Sequence, residues 1–211
     1  GEVTLLVEPI VEGVETTAKF KIDGKEQVLN VRAKEEFELD WGGKWEFYNC
    51  VVGGAIDANF MPAIKKGIIQ RLEEGPLTGS YARDIRVFVY DGKMHPVDSK
   101  EIAFIIAGRN AFREAFKNAG PKIMEPIYLV EVLVPGDCMG DVMSDIQNRR
   151  GMIEGMSSKK GFQVLRARVP LAELYRYSTT LSSLTSGRAT FTQELLEYQQ
   201  VPADIQEKLL K

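Results

Sequence analysis

Residues 85–101 read IRVFVYDGKMHPVDSKE and combine a strand, a turn and the start of a helix within one short stretch. Apolar side chains alternate with others from Ile85 to Tyr90, which predicts a β-strand. Asp91-Gly92 is typical of a turn, and Asp98 followed three residues later by Glu101 predicts a capping box at a helix start. A strand followed so closely by a helix indicates a mixed fold.

His95, the single histidine of the chain, lies in the connection between these two elements. Because Pro96 disfavours the helical backbone conformation at the residue before it, we expect a short and stiff connection. A polar residue that a rigid scaffold presents on a loop is more often a contact residue than a packing one. A solvated loop histidine without a function is the alternative on these local grounds.

Length and composition are those of an ordinary soluble protein with room for two domains. Of the 211 residues, 44% are hydrophobic and 27% are charged. No apolar run approaches the ~20 residues that span a bilayer, so we expect no membrane segment and a cytoplasmic location. The chain opens directly into the strand-like residues 3–7 without an initiator methionine, which favours an excised piece of a longer protein.

Several kinds of chemistry are not expected of this sequence. Cys50 and Cys138 are far apart and flanked by apolar residues, so we expect free thiols and no metal site. No glycine-rich phosphate loop of the Gly-x4-Gly-Lys-Ser/Thr kind is present, so we expect no GTP binding and no cofactor in this chain. A hydrolase triad of His95, Asp98 and Ser99 is excluded because residues within one turn cannot converge as a triad requires. We therefore predict no catalytic residue.

The charge balance excludes a protein that binds nucleic acid through bulk positive charge. The net charge is -3, with 16 basic and 19 acidic residues up to residue 121 and 11 of each after it. Any contact with RNA must therefore be local and depend on a few cations in defined places.

The first part of the chain, residues 1–121, alternates strands with two helices. An amphipathic helix runs from Phe60 to Leu72, and a second helix is predicted from Ser99 until Gly120-Pro121 ends it. The predicted strands cover residues 3–10, 16–22, 26–31, 45–52 and 83–90. The predicted core face of the second helix consists of Ile102, Ile105, Ile106, Phe112 and Phe116.

The second part, residues 122–211, is more regular. Its predicted strands cover residues 126–134, 152–156, 162–169 and 188–198, and its predicted helices cover residues 139–150 and 171–184, with a terminal helix after Pro202. The order β-α-β-β-α-β predicts a ferredoxin-like arrangement. Residues 160–164 are superficially like an RNA-recognition-motif signature, but Val164 and Ala167 occupy the places of its stacking aromatics, so we expect Phe162 in a core.

Read in order, a set of short motifs resembles the fourth and fifth domains of elongation factor G, the bacterial translocation GTPase. The motifs of the first part are Gly53-Gly54-Ala55-Ile56, residues 62–68, Glu74-Gly75-Pro76-Leu77 and residues 97–104. Those of the second part are Met124-Glu125-Pro126-Ile127, Gly140-Asp141-Val142, Arg149-Arg150-Gly151-Met152 and residues 183–189. No single motif is decisive, but the ordered set with compatible spacing is specific.

The resemblance implies an α+β protein of two domains. Residues 1–121 correspond to a ribosomal-protein-like β-α-β domain whose sheet is covered by two helices, and residues 122–211 to a ferredoxin-like sandwich. The chain departs from the family between Pro9 and Trp45, where it is longer. We expect an inserted hairpin at about residues 12–42, with an acidic patch at Glu35, Glu36, Glu38 and Asp40. This departure suggests a paralogue or lineage variant.

The resemblance also implies two sets of contact residues. The tip of the first domain, which would enter the decoding region, comprises Lys93, Met94, His95, Pro96, Asp98 and Ser99. The surface of the second domain that would contact large-subunit ribosomal RNA comprises Arg149, Arg150, Gly151, Ser183, Thr185, Gly187 and Arg188. For the two adjacent arginines the alternative is purely structural, because cations at a helix end favour the helix dipole.

The implied function is translocation of tRNA and mRNA by a monomeric factor whose separate GTPase domain binds GTP and magnesium. The implied partners are the ribosomal RNA of both subunits, the stalk-base proteins and the tRNA–mRNA in the decoding region. A paralogue acting in ribosome recycling or disassembly, and a tetracycline-resistance ribosomal protection protein, are the alternatives within the same domain order. A stand-alone RNA-binding module is the alternative from a different class.

Overall fold

A computed structural model describes residues 1–95 and 100–211 of the chain. It divides into two compact units, Gly1–Pro121 and Lys122–Leu209. In the described ranges, no helix has both the length and the apolar character needed to cross a membrane.

The first unit is built around a four-stranded sheet with the order β1-β6-β5-β4. Strands β5 and β6 are parallel and are joined through helix α1, while the other neighbours are antiparallel. The predicted β-α-β domain with a sheet covered by two helices is thereby confirmed. Its elements are β1 (Glu2–Pro9), β2 (Lys19–Ile22), β3 (Lys25–Val28), β4 (Ala33–Glu38), β5 (Lys44–Asn49), α1 (Met61–Glu73), β6 (Ile85–Lys93) and α2 (Glu101–Asn118).

Helices α1 and α2 pack on one face of this sheet and approach each other closely. A Cβ atom on Gly67 would lie 2.0 Å from the carbonyl oxygen of Ile105, and one on Gly108 would lie 2.8 Å from the carbonyl oxygen of Ile64. Only glycine allows the two backbones to come so near. The contact fixes which face of each helix meets the core.

The predicted start and core face of α2 are partly wrong. The helix begins at Glu101 after the N-cap residue Lys100, whereas the sequence predicted a start at Ser99. Ile102 and Ile106 are 59% and 44% exposed, while Phe104 and Phe112 are fully buried. Helix α2 makes its close contact with α1 at Gly108. The residues one turn before and one turn after this glycine, Phe104 and Phe112, therefore face inward.

The other face of the sheet carries the hairpin formed by β2 and β3. Its strands pair from Lys19–Val28 to Ile22–Lys25, and the connecting Asp23 and Gly24 have positive φ. Phe20 of the hairpin packs edge-on against Phe88 of β6, with ring centroids 4.9 Å apart. The hairpin therefore closes a small second core, which contains Ala18, Tyr48, Cys50 and Phe88.

Residues 33–38, for which the sequence predicted no strand, form β4 at the edge of the main sheet. The residue that anchors this strand is Phe37, which stacks on Trp45 with ring centroids 5.0 Å apart. Glu35 points to the same side and pairs with Lys65 of α1 at 2.8 Å. Three glutamates surround the single aromatic residue of this stretch, so the sequence lacks the apolar alternation that predicts a strand.

Asp91-Gly92, predicted as a turn, is part of strand β6. Gly92 pairs with Val3 of β1, and the register shifts between Thr4 and Leu5 because Tyr90 of β6 is an extra residue between the partners Val89 and Asp91. A Cβ atom on Gly92 would lie 2.3 Å from the carbonyl oxygen of Glu2. The glycine is thus required for close approach of a neighbouring strand and not for a turn.

The second unit has the predicted ferredoxin-like fold. Its sheet is antiparallel with the order β10-β7-β9-β8, and helices α3 and α4 pack on one face over Val130, Val132, Leu165 and Ala167. The elements are β7 (Met124–Pro135), α3 (Met139–Asn148), β8 (Met152–Lys159), β9 (Phe162–Pro170), α4 (Tyr177–Thr185), β10 (Thr190–Gln200) and α5 (Ala203–Leu209).

Two expectations for the second unit are wrong. The helix predicted over residues 171–184 is interrupted: a 3-10 turn covers Leu171–Leu174, Arg176 has a φ of 54°, and α4 starts at Tyr177. Phe162 is not in a core but exposed, because it is the first residue of β9, next to the hairpin turn that joins β8 and β9.

Candidate functional site

The last residues of β6, together with Met94 and His95 directly after it, form one end of the first unit. Lys93 is 79% exposed, and its Nζ lies 3.4 Å from the carboxylate of Glu2. His95 is also exposed. The other predicted tip residues Pro96, Asp98 and Ser99 lie outside the described residues.

Met94, which the sequence grouped with the contact residues, faces inward. Its sulfur accepts a hydrogen bond from the main-chain N–H of Asp57 at 3.3 Å, and its side chain packs against the helix-side core of the first unit. The same side chain borders a small cavity of about 290 Å³ with Ile56 and Met61. Met94 therefore anchors the segment that carries Lys93 and His95.

The loop after β5 lies next to this segment. Gly53 and Gly54 both have left-handed φ angles, 65° and 69°, and no atom of residues 1–95 or 100–211 lies within 4 Å of the position of a Cβ atom on either glycine. Arg32 fixes the start of the loop by donating to the carbonyl oxygen of Val51 at 3.0 Å, and Val52 is exposed. The two glycines directly after the predicted strand mark its end and are also part of a quoted motif; paired glycines in this position are themselves a sign of an exposed loop.

In the second unit, Arg149 is engaged inside the protein. Its guanidinium bonds to the carboxylate of Asp145 at 2.9 Å and to the hydroxyl of Thr180 at 3.1 Å, and it donates to the main-chain oxygen of Glu173. It also lies over the ring of Tyr177, 5.0 Å from the centroid. These contacts tie the end of α3 to the interrupted segment before α4.

Arg150 and Gly151 close helix α3. Arg150, and not the glycine, adopts the left-handed conformation, with a φ of 56°. Its guanidinium forms a bidentate ion pair with the carboxylate of Glu125, at 2.8 and 2.9 Å, and a further hydrogen bond to Glu173 at 2.9 Å. The hydrogen bonds to Glu125 are the main reason that the pKa of Arg150 is raised. A Cβ atom on Gly151 would lie 2.5 Å from the carbonyl oxygen of Ile146, so glycine is required there.

The end of α4 and the turn after it present their residues in two directions. Thr185 is fully buried, and its hydroxyl donates to the carbonyl oxygen of Leu181 at 2.8 Å while accepting from the N–H of Ala189 at 3.2 Å. Ser183 and Gly187, by contrast, are exposed. The turn is closed by left-handed residues at positions 186 and 187.

Arg188 is the exposed cation of this turn. Its side chain is 50% exposed, and Nη2 lies 2.9 Å from a carboxylate oxygen of Asp137 and 3.1 Å from the sulfur of Cys138. The hydrogen bond from Arg188 lowers the pKa of Asp137. Of the predicted residues of the second unit, Ser183, Gly187 and Arg188 therefore face solvent, whereas Arg149, Arg150, Gly151 and Thr185 build the framework beneath them.

Both surfaces have groups that are suited to binding. Each combines a few cations and polar groups with loops that contain left-handed glycines and internal hydrogen bonds. Within residues 1–95 and 100–211, no group of three or more histidines, cysteines or acidic residues is arranged to hold a metal ion.

Comparison with known proteins agrees with the two-part architecture. Residues 8–120 match the family model described as elongation factor G, domain IV, and residues 122–209 match the one described as elongation factor G C-terminus. A crystal structure of a protein from Thermus thermophilus is similar over 100% of this chain, with 32% sequence identity and a TM-score of 0.70. The match covers 30% of that protein's chain.

Proposed function

Because the chain belongs to the elongation factor G family, we propose that it is the ribosome-contacting C-terminal part of a factor that promotes translocation of tRNA and mRNA. In this proposal the end of the first unit that carries Lys93 and His95 enters the decoding region of the small subunit. GTP hydrolysis, with GTP and magnesium, takes place in a separate domain of the whole protein. The factor acts in the cytoplasm as a monomer.

One observation carries the proposal: Lys93 and His95 flank Met94, a partly buried anchor. The side chain of Met94 is held against the core and bonded to Asp57, so the residues on either side of it project from a fixed point. A projection of this kind can transmit force to a bound RNA, because its side chains cannot retreat into a flexible loop. The neighbouring glycines Gly53 and Gly54 leave room for RNA backbone to approach.

The charge of the chain is consistent with a local contact of this type. The net charge is -3, so general attraction to RNA is weak. Lysine and histidine can donate hydrogen bonds to phosphate and ribose groups. We propose that these few donors position the tip and that shape, not bulk charge, determines where it binds.

For the second unit we propose that Ser183, Gly187 and Arg188 contact the RNA of the large subunit near the stalk base. These residues are exposed on one turn. Arg149 and Arg150 keep a supporting function, since their guanidinium groups are already bonded to Asp145, Glu125 and Glu173. The exposed guanidinium of Arg188 can exchange its partner Asp137 for a phosphate group.

The proposal is tested by directed cleavage of ribosomal RNA. An iron chelate is attached to a cysteine introduced by Lys93→Cys in the full-length protein, and the complex with ribosomes is exposed to peroxide and ascorbate. Both cysteines of this chain are buried, and accessible cysteines elsewhere in the full-length protein are first replaced by serine, so the label goes to the introduced position. Cleavage of small-subunit RNA around the decoding region is expected, and a label at Lys160→Cys in the second unit is expected to leave that region intact. Cleavage confined to the large subunit from Lys93→Cys contradicts the proposal.

A further inference from the structure

The outer edge of β4 is an open edge of the main sheet in the first unit. Strand β4 has β5 on one side, and in the described part of the chain no strand pairs with its other side. Every residue of β4 except Phe37 is exposed. An edge strand in this position presents a row of main-chain donors and acceptors that another extended segment can use.

The hydrogen bonds of β5 show which main-chain groups of the sheet are already used. The carbonyl oxygen of Lys44 accepts from the N–H of Asp84 at 2.7 Å, and the N–H of Cys50 donates to the carbonyl oxygen of Val89 at 2.8 Å. Even-numbered residues of β5 therefore bond toward β6. Its odd-numbered residues bond toward β4, since successive residues of a strand bond to opposite sides.

The same alternation applies to β4. Where the β4–β5 ladder ends, the N–H of Leu39 donates to the carbonyl oxygen of Gly43 at 3.0 Å, which continues the odd-numbered pairing. The even-numbered residues of β4 stand in the non-bonded pairs of the ladder, so their N–H and C=O groups point outward. These residues are Lys34, Glu36 and Glu38.

A groove of about 1000 Å³ lies beside this edge, on the sheet face opposite the two helices. One wall is the strap of residues 10–17, and the floor includes Glu46 and Arg86. The strap is held in place because the N–H of Ile10 donates to the carbonyl oxygen of Asp84 at 2.7 Å and Arg86 donates to the carbonyl oxygen of Val14. The groove is therefore part of a fixed surface.

The charge around the groove indicates which class of ligand can bind there. Residues 8–46 contain ten acidic and six basic residues. Lys44 pairs with Glu36 at 2.8 Å, but Glu12, Glu15 and Glu38 have no ion pair among the described residues. A second copy of β4 would place glutamates against glutamates, and the phosphates of RNA would be repelled. A segment with lysine or arginine side chains meets no such repulsion.

We propose that an extended protein segment with basic side chains at alternate positions adds to β4 as a fifth strand of the sheet. Its main chain bonds to the outward groups of Lys34, Glu36 and Glu38. Because side chains of a strand alternate between faces, every second residue of the added segment points over the groove, where its cation meets Glu12, Glu15 and Glu38. This inference is independent of any contact made by Lys93 or His95.

The first test uses a synthetic peptide of alternating lysine and threonine and an isomer with the same residues in two blocks. Binding to the 211-residue chain is followed by fluorescence anisotropy, and amide hydrogen exchange is followed at each residue of β4. The alternating peptide is expected to bind at least about fivefold more tightly than the block isomer. It is also expected to protect the amides of Lys34, Glu36 and Glu38. Equal binding of both peptides, or protection elsewhere only, overturns the proposal.

Variants separate main-chain pairing from simple charge attraction. Glu36→Pro removes one outward N–H and a carboxylate, whereas Glu36→Gln removes the carboxylate alone. Proline is tolerated on the open side of an edge strand, so Glu36→Pro should keep the fold. We expect Glu36→Pro to bind the alternating peptide at least about fivefold more weakly than Glu36→Gln does. The pair Glu12→Gln and Glu38→Gln should also weaken binding, whereas the control pair Glu73→Gln and Glu207→Gln should not. If the control pair weakens binding as much, the attraction is unspecific and the proposal fails.

The competing class of ligand is tested in the same assay. A single-stranded oligouridine should neither bind nor protect the β4 amides at the salt concentration used for the peptide. Protection of Lys34, Glu36 and Glu38 by the oligouridine would assign this edge to RNA and overturn the proposal.

Discussion

The sulfur of Met94 accepts a hydrogen bond from the main-chain N–H of Asp57 at 3.3 Å, which ties the segment before His95 to the loop after β5. The two residues are distant in sequence, yet the contact joins the residue directly after β6 to the loop after β5. The position of His95 therefore depends on packing of its neighbour against the core, and not only on its own contacts.

The anchoring function of Met94 is tested by truncation. Met94→Ala removes a partly buried side chain and should lower the free energy of unfolding by about 1–2 kcal/mol, while Met94→Leu, which keeps the volume, should cost less than about 1 kcal/mol. Urea unfolding followed by circular dichroism measures both. An unchanged stability of Met94→Ala would mean that the side chain is a surface contact residue.

The close approach of α1 and α2 is tested at Gly67. Its missing side chain leaves room for the carbonyl oxygen of Ile105, so Gly67→Ala forces the helices apart and should cost about 3 kcal/mol or more. Gly140→Ala is the matched control, because nothing lies near its Cβ position in α3. Thermal unfolding should show a large loss for the first variant and no loss for the second. Equal effects of the two would refute the helix contact.

The buried charges beneath the strap should contribute strongly to stability. Nε of Arg86 lies 2.9 Å from the carboxylate of Glu46, and both side chains are almost completely buried. Arg86→Met leaves Glu46 without its buried cationic partner and should cost about 3 kcal/mol. The exposed pair of Arg113 and Glu114 is the control, since Arg113→Met should change stability by less than about 1 kcal/mol. Similar losses for both variants would contradict the burial of Glu46.

The same network predicts a dependence on pH. Burial tends to raise the pKa of Glu46, but hydrogen bonds from Tyr48 and Arg86 outweigh it, and the pKa lies below its ordinary value of 4.5. A carboxyl group of this kind stabilises the fold above its unfolded pKa and loses that contribution as pH falls through the lower folded pKa. The stability difference between the wild type and Glu46→Gln should thus shrink between about pH 6 and about pH 3. If the stability difference grew on acidification, the pKa of Glu46 would be raised in the folded protein and not lowered.

Much of the framework could be predicted from local patterns. Helix α1 and the alternation of strands and helices after residue 121 follow directly from spacing, because each element there buries a regular stripe of apolar side chains. Strand β4 did not follow, since three of its six residues are glutamates and its stability comes from stacking of Phe37 on Trp45. The turn predicted at Gly92 is wrong because glycine is needed there for the close approach of Glu2, which is far away in the sequence.

The residues of the candidate site also divide into those that local patterns predict and those whose position depends on distant contacts. The exposure of Lys93 and His95 could be predicted from their place at or just beyond the end of a strand. The inward direction of Met94, and the internal bonds of Arg149 and Arg150, could not be predicted because they depend on partners in other elements. The break before α4 has the same origin, since Arg149 bonds to main-chain oxygens of residues 173 and 175.

The central claim is that His95 acts in movement on the ribosome and not in GTP hydrolysis, and kinetics of the full-length protein tests it most directly. Translocation and ribosome-stimulated GTP hydrolysis are measured for the wild type, for His95→Ala and for the control Lys21→Ala on the exposed side of β2. Loss of one contact costs about 1–3 kcal/mol of transition-state stabilisation, so His95→Ala should slow translocation about tenfold or more. The rate of GTP hydrolysis should change less than about twofold. Lys21→Ala should match the wild type in both rates. An unchanged translocation rate, or a loss of GTP hydrolysis that accounts for the slower movement, would contradict the account.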